Sequence, residues 1–278
     1  MRKFRRRGWL SRHWLIPLVV LLFAFLNLGG QSRLSQALAW TRSGYWHQTT
    51  QRAVRQPPTQ QQADAVLTPT VKKQLGSSIQ WNNAGAFIVN NNRTKLNANT
   101  NAAPWAVNHL DAQGRPWQGD AWLNKTTRQY QNRAVTGNGA SSWKPAGFLQ
   151  ATNLTGGYSH AYDRGHLLGY ALVGGLRGFN ASESNPNNIA AQTAWANEAG
   201  SAASTGQNYY EGLVRQALDR GKNVRYRVTD IYDGNNLVPA GAHIEAKSSD
   251  GSLQFNCFVP NVQRNISINY ATGAVTQR

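Results

Sequence analysis

The chain predicts an α+β domain built on an antiparallel sheet. Three observations carry this. Short strand-like runs joined by turns come first, one strong amphipathic helix pattern sits in the middle, and alternating runs linked by hairpin turns follow to the C-terminus.

The order along the chain is as follows. "MRKFRRRGWLSRH" is a basic flank and "WLIPLVVLLFAFLNLGG" an uncharged apolar run of signal-peptide or short-anchor length. Positive charge ahead of that run predicts a cytoplasmic N-terminus and an exported body. An uncleaved anchor is favoured over cleavage near Ala39, which lies far beyond the apolar run. Residues 1–30 are thus expected as basic tail and signal anchor, and 31–75, with "RQPPTQQQADA" at its centre, as a polar spacer or partly helical stalk. The body is expected over 76–278.

Within the body, "AGAFIVNNN" and "PWAVNHLDAQGRPWQGDAWL" read as short strands, with "DAQGRP" as a bend. "AYDRGHLLGY" reads as a turn leading into a buried segment. "SNPNNIAAQTAWANEAG" reads as loop, short strand and helix start. "STGQNYYEGLVRQALDRG" is the best helix: Ser204 and Gln207 fit a capping box, Tyr210, Leu213, Val214, Ala217 and Leu218 form an apolar stripe, and Gly221 ends it. "NVRYRVTDIYDG", "AHIEAKSSDGSLQFNCFVP" and "SINYATGAV" alternate as strands, with "SSDG" and "YATG" as hairpin turns.

The 29 Lys and Arg face 12 Asp and Glu, giving a net charge of +17. Six of those bases lie in the first twelve residues, yet the remainder is still strongly basic. That excess favours a polyanionic partner such as nucleic acid, with simple solubility as the bland alternative. The single cysteine, Cys257, excludes an intramolecular disulfide and makes a cysteine-rich zinc site improbable. It sits in an alternating strand pattern, where a small core residue is expected.

The chemistry concentrates in Asp163, Arg164, Gly165 and His166. Cutting a phosphodiester needs a base for water, positive charge against the developing anion, and donors that hold the phosphate. Histidine suits the first task because its ordinary pKa lies near neutrality. Arginine suits the last, since its planar fork grips phosphate oxygens in pairs. Glycine between them allows a tight turn and close approach of substrate.

"DRGH" followed by "LLGYALVGG", "NPNNIAAQTAWAN" and "STGQNYYE" resembles the DNA/RNA non-specific endonucleases of the ββα-metal fold. Within that family it resembles the membrane-anchored DNA-entry nucleases of Gram-positive bacteria. The resemblance runs from about residue 75 to the C-terminus and includes the N-terminal anchor. It implies His166 as general base and Asn197 as the one direct protein ligand of Mg2+, with Mn2+ as a substitute. It implies Glu211 acting on the ion through water, Asn188 and Gln192 supporting the site, and Arg164 and Arg133 contacting the scissile phosphate. Asp163 is expected to orient the loop rather than ligate metal.

Asn197 and Glu211 are fourteen residues apart, which a continuous helix would stretch to about 21 Å. The small, polar "EAGSAASTG" must therefore interrupt the helix and return the chain, or else Glu198 or a water takes the place of Glu211. His160 is the nearest alternative base. Arg225 and Arg227 lie on one strand face, as a backbone-binding stripe or a solvated surface. The expected function is an exported, metal-dependent endonuclease acting on DNA, and on RNA, with little sequence preference. A non-catalytic surface receptor for DNA is the alternative. Expected partners are nucleic acid, the membrane through the anchor, and DNA-uptake machinery.

Overall fold

The computed structural model describes residues 56–139 and 141–278. The expected signal anchor and most of the expected spacer lie outside them. No helix among the described residues is long and apolar enough to cross a membrane.

Two short helices open the described chain, α1 (Gln60–Asp64) and α2 (Pro69–Leu75), capped by the side chains of Thr59 and Thr68. Strands β1 (Ile79–Trp81), β2 (Phe87–Val89), β3 (Trp105–Leu110) and β4 (Pro116–Leu123) follow. Next come β5 (Tyr162–His166), the single-turn α3 (Tyr170–Val173), β6 (Ile189–Thr193) and α4 (Ala194–Glu198). A small hairpin, β7 (Gly200–Ser201) and β8 (Ser204–Thr205), leads into the long helix α5 (Gln207–Asp219). The chain finishes with β9 (Val224–Ile231), β10 (Gly241–Ser248), β11 (Gln254–Pro260), β12 (Ile266–Asn269) and β13 (Ala274–Gln277).

Seven of these strands form one sheet in the order β1-β2-β11-β10-β9-β4-β3, with every neighbouring pair antiparallel. The expected α+β architecture is what the described chain forms. Period-two alternation sends successive residues to opposite faces. On β11, Phe255, Cys257 and Val259 join the main core with Tyr210, Val214 and Leu218 of α5, whereas Phe258 faces a second core. That second core holds Val71 and Leu75 of α2 and Ala63 of α1, so helices flank both faces. Each fully buried Leu or Val contributes roughly 1.5–3 kcal/mol. The spacer expected through residue 75 therefore gives way from residue 60 to folded chain, because its sparse apolar residues at Ala63, Val66, Leu67, Val71 and Leu75 are all buried.

Three local expectations change. Tyr162–His166, read as a turn, is a strand paired with β6 in the register Asp163 to Gln192 and His166 to Ile189. Helix α5 is capped by Gly206 rather than Ser204, which lies in β8. Gln207, expected to complete a capping box, is buried instead. The apolar stripe of α5 and the left-handed Gly221 just beyond its end are as expected.

Candidate active site

Strands β5 and β6 and helix α4 form a ββα unit set against the main sheet, and α5 returns beside it. Leu167 and Leu168 are fully buried and anchor the exit of β5. Asn188 locks that exit: its Oδ1 accepts from the Leu168 N–H at 3.0 Å and its Nδ2 donates to the Leu168 carbonyl at 3.1 Å. Its own carbonyl accepts from the Leu167 N–H at 2.8 Å.

His166 ends β5 with Nε2 3.0 Å from Oε1 of Glu211, whose side chain is 5 % exposed. Burial pushes the Glu211 carboxyl up, but His166, Arg215 and the Gln207 amide outweigh that and hold it below the usual carboxylate range. It is therefore an acceptor only, so the hydrogen between the two is carried by Nε2, and the neutral form of the ring has its lone pair at Nδ1. Gln207, one turn before Glu211, donates to Oε1 of Glu211 at 3.2 Å and to the His166 carbonyl at 2.6 Å. Gln192 donates to Gln207 at 3.0 Å.

Two glycines make this approach geometrically possible. A Cβ on Gly169 would lie 2.6 Å from Oε2 of Glu211. One on Gly165 would lie 2.3 Å from the Cβ of Gln192. Gly165 thus clears a neighbouring side chain within a strand, rather than supplying the tight turn expected from its place in the motif.

The chain reversal required by the spacing is present. Helix α4 stops at Glu198, Ala199 is extended, and the β7–β8 hairpin turns the chain so that α5 runs back to His166. Trp195 ties this corner together, its Nε1 donating to Ser204 at 3.0 Å.

Asn197, on α4, donates through Nδ2 to Oδ2 of Asp163 at 2.9 Å. A carboxylate cannot donate, so this contact fixes the amide orientation and leaves Oδ1 as the Asn197 atom available to a cation. The other Asp163 oxygen lies 2.9 Å from His160 Nε2, which lies 3.5 Å from Oε1 of Glu198. One ligand atom from each of His160, Asp163 and Glu198 falls within 4.8 Å of the others, a grouping able to hold a metal ion. The oxygens among these groups, Oδ1 of Asn197 and the carboxylates of Asp163 and Glu198, are hard donors that suit Mg2+, which keeps much of its water, whereas His160 offers a nitrogen. The residues present fit such an ion.

The arginines are more engaged than expected. Arg164 donates through Nε to the Trp143 carbonyl at 2.8 Å and through Nη2 to the Ser141 carbonyl, tying down that loop. Arg133 donates to the Ala181 carbonyl at 2.8 Å, pairs with Glu183 at 3.6 Å and stacks on Tyr170. Arg225 and Arg227 are both held by Asp120, the latter at 2.7 Å, so they form an internal charge cluster rather than an open stripe. Cys257 is buried as expected, and burial pushes its thiol well up.

Two site residues escaped the sequence reading. Gln207 looked like a helix cap, and its only signal was its position four residues before Glu211. Asp230, the next-to-last residue of β9, is a buried acid that lines the small cavity beside His166.

With this geometry in view, residues 82–276 match the DNA/RNA non-specific endonuclease family, and the chain belongs to it. It is thus a phosphodiester-cleaving hydrolase whose substrate is nucleic acid. Its fold is similar to that of NucA from Streptococcus agalactiae with magnesium ion bound, at 44 % identity and a TM-score of 0.72, covering 75 % of this chain and 95 % of that one. NucA with no metal bound matches at 45 % identity and a TM-score of 0.67, covering 72 % of this chain and 90 % of that one.

Proposed function

We propose that this chain is an exported, membrane-anchored endonuclease that hydrolyses DNA, and RNA, with Mg2+ and little sequence preference. Mn2+ would substitute for Mg2+. The observation that carries this reading is the chain reversal that brings a buried, ionised Glu211 to Nε2 of His166.

In this reading Nδ1 of His166 takes a proton from the water that attacks phosphorus, while Glu211 holds the ring and steadies the imidazolium that results. The bond to the 3′-oxygen breaks, which leaves 5′-phosphate ends. Asn197 would hold Mg2+ through Oδ1, with Glu211 acting on the ion through water. Bound there, the ion would supply positive charge against the charge that builds on the phosphoryl oxygens. Asp163 keeps the Asn197 amide turned the right way. Arg164 has Nε and Nη2 committed to the loop, so it would meet a phosphate through Nη1, and Arg133 would add positive charge from the side. Contacts to phosphate rather than to base edges account for low sequence preference.

The similarity to NucA with magnesium bound supports the choice of metal. The basic flank and apolar run at the N-terminus support export and anchoring, and DNA uptake or degradation at the cell surface is the role that fits. Incubating the full chain with linear and circular DNA and with RNA, with Mg2+ and with excess chelator, tests the reading. Circular DNA should be linearised and then degraded with Mg2+ and left intact with chelator. Cleavage that persists in chelator would rule out the metal.

A further inference from the structure

His160, Asp163 and Glu198 converge from separate places in the fold. His160 lies just ahead of β5, where it bridges to Thr152 and its carbonyl accepts from Nε2 of Gln263 at 3.0 Å. Asp163 lies in β5, and Glu198 is the last residue of α4. Nε2 of His160 is 2.9 Å from Oδ1 of Asp163 and 3.5 Å from Oε1 of Glu198, and the three ligand atoms all fall within 4.8 Å of one another. Bonds of about 2.1 Å to one ion, at tetrahedral or octahedral angles, set neighbouring ligand atoms about 3.0–3.4 Å apart. The two distances from His160 bracket that range.

The donor set differs from the one the reaction uses. Mg2+ takes oxygen, here Oδ1 of Asn197, whereas the trio offers one nitrogen and two carboxylate oxygens. An imidazole among carboxylates selects a borderline ion such as Zn2+. Charge points the same way. Asp111, Asp120, Asp219 and Asp250 each pair with an Arg or Lys. No Arg or Lys pairs with Asp163 among the described residues, although the chain is strongly basic, and its partners are His160 and Asn197. The three side chains are 23–34 % exposed, so a hydrated ion can reach them.

We propose that His160, Asp163 and Glu198 form a second cation site, which takes Zn2+ and opposes Mg2+ at Asn197. Asp163 is the joint between the two. Its Oδ1 faces the trio, and its Oδ2 accepts from Nδ2 of Asn197 at 2.9 Å. Zn2+ on Oδ1 draws charge from the carboxylate and loosens its hold on the Asn197 amide. Two dications flanking one carboxylate also repel each other. Filling the trio therefore lowers the affinity for Mg2+, and by reciprocity Mg2+ lowers that for Zn2+ by the same factor. The binding of Zn2+ stands on the trio's geometry alone, whereas the opposition rests on Asn197 holding Mg2+ as proposed above.

The test uses the full chain freed of metal, with Zn2+ as the probe and equilibrium dialysis as the readout. Wild type is compared with His160→Ala, Glu198→Gln and Asn197→Ala. His160→Ala and Glu198→Gln should each bind Zn2+ at least about tenfold more weakly than wild type. The two changes lie on different elements, so either one decides if the other does not fold. Asn197→Ala should keep the wild-type Zn2+ affinity within about twofold, because its oxygen is not in the trio. Added Mg2+ should weaken Zn2+ binding by about tenfold in wild type, to a plateau, and not at all in Asn197→Ala. At subsaturating Mg2+, Zn2+ should slow cleavage of circular DNA by wild type about tenfold. His160→Ala and Glu198→Gln should not be slowed relative to their own rates without Zn2+. Equal Zn2+ affinity in wild type, His160→Ala and Glu198→Gln would overturn the site. Zn2+ binding that ignores Mg2+, or that Mg2+ weakens without limit in wild type and in Asn197→Ala alike, would overturn the opposition of two sites. Failure of the Mg2+ reading shows separately, as cleavage that persists in chelator, and leaves the Zn2+ affinities as they are.

Discussion

The two halves of the site are built on different principles. His166, Glu211 and Gln207 form a closed half: Glu211 is 5 % exposed and Gln207 is buried, and both bond to the partly buried His166. His160, Asp163, Asn197 and Glu198 form an open half, whose side chains in the His160 ion pairs are 23–34 % exposed. Both put a histidine beside a carboxylate, yet only the first desolvates the carboxylate. A dry half can fix one tautomer and one ring orientation, which a base needs. A wet half can exchange water and admit a hydrated cation and a phosphate, which a metal site needs.

That contrast can be broken by experiment. The largest effect is expected for Asn197→Ala, which removes the amide oxygen from the open half. Cleavage should drop by about 100-fold or more while DNA binding persists, and added Mg2+ should restore part of it. Glu211→Gln should cost about 10–100-fold in kcat, because the imidazolium loses its counter-charge, with KM for DNA little changed. Asp163→Asn should cost about tenfold, since Asn197 would no longer be held in one orientation. If Asp163→Asn proved more damaging than Glu211→Gln, the division between closed and open halves would have to be reversed.

The smallest effect on activity is expected at Asp120, which lies outside both halves. Burial raises its carboxyl, but Arg225 and Arg227 outweigh that and leave it below the ordinary value. A depressed folded pKa gives stability that is present above the unfolded value and lost as pH falls through the folded one. Asp120→Asn should thus cost about 1–3 kcal/mol at neutral pH, shrinking toward acid, with kcat unchanged. Urea unfolding at two pH values measures it.

The order of strands and the long helix were legible because period-two and period-3.6 patterns are local. So was the need for a chain reversal between Asn197 and Glu211, since a helix has a fixed rise per residue. What sequence could not supply was partnership across the fold. Arg225 and Arg227 alternate like a binding stripe, but Asp120 on the neighbouring strand claims both. Gln207 satisfies a local capping pattern, but the end of β5 captures it instead. The DRGH residues read as a turn because glycine and charge are turn-like, whereas pairing with β6 makes them a strand. Each miss is a long-range contact overruling a local preference.

The central claim is that His166, held by Glu211, is the base. Wild type and His166→Ala should be compared side by side for Mg2+-dependent cleavage of circular DNA and for DNA binding in chelator. Cleavage should fall by about 10²–10⁴-fold with binding intact. Cleavage at the wild-type rate in the variant would contradict the account.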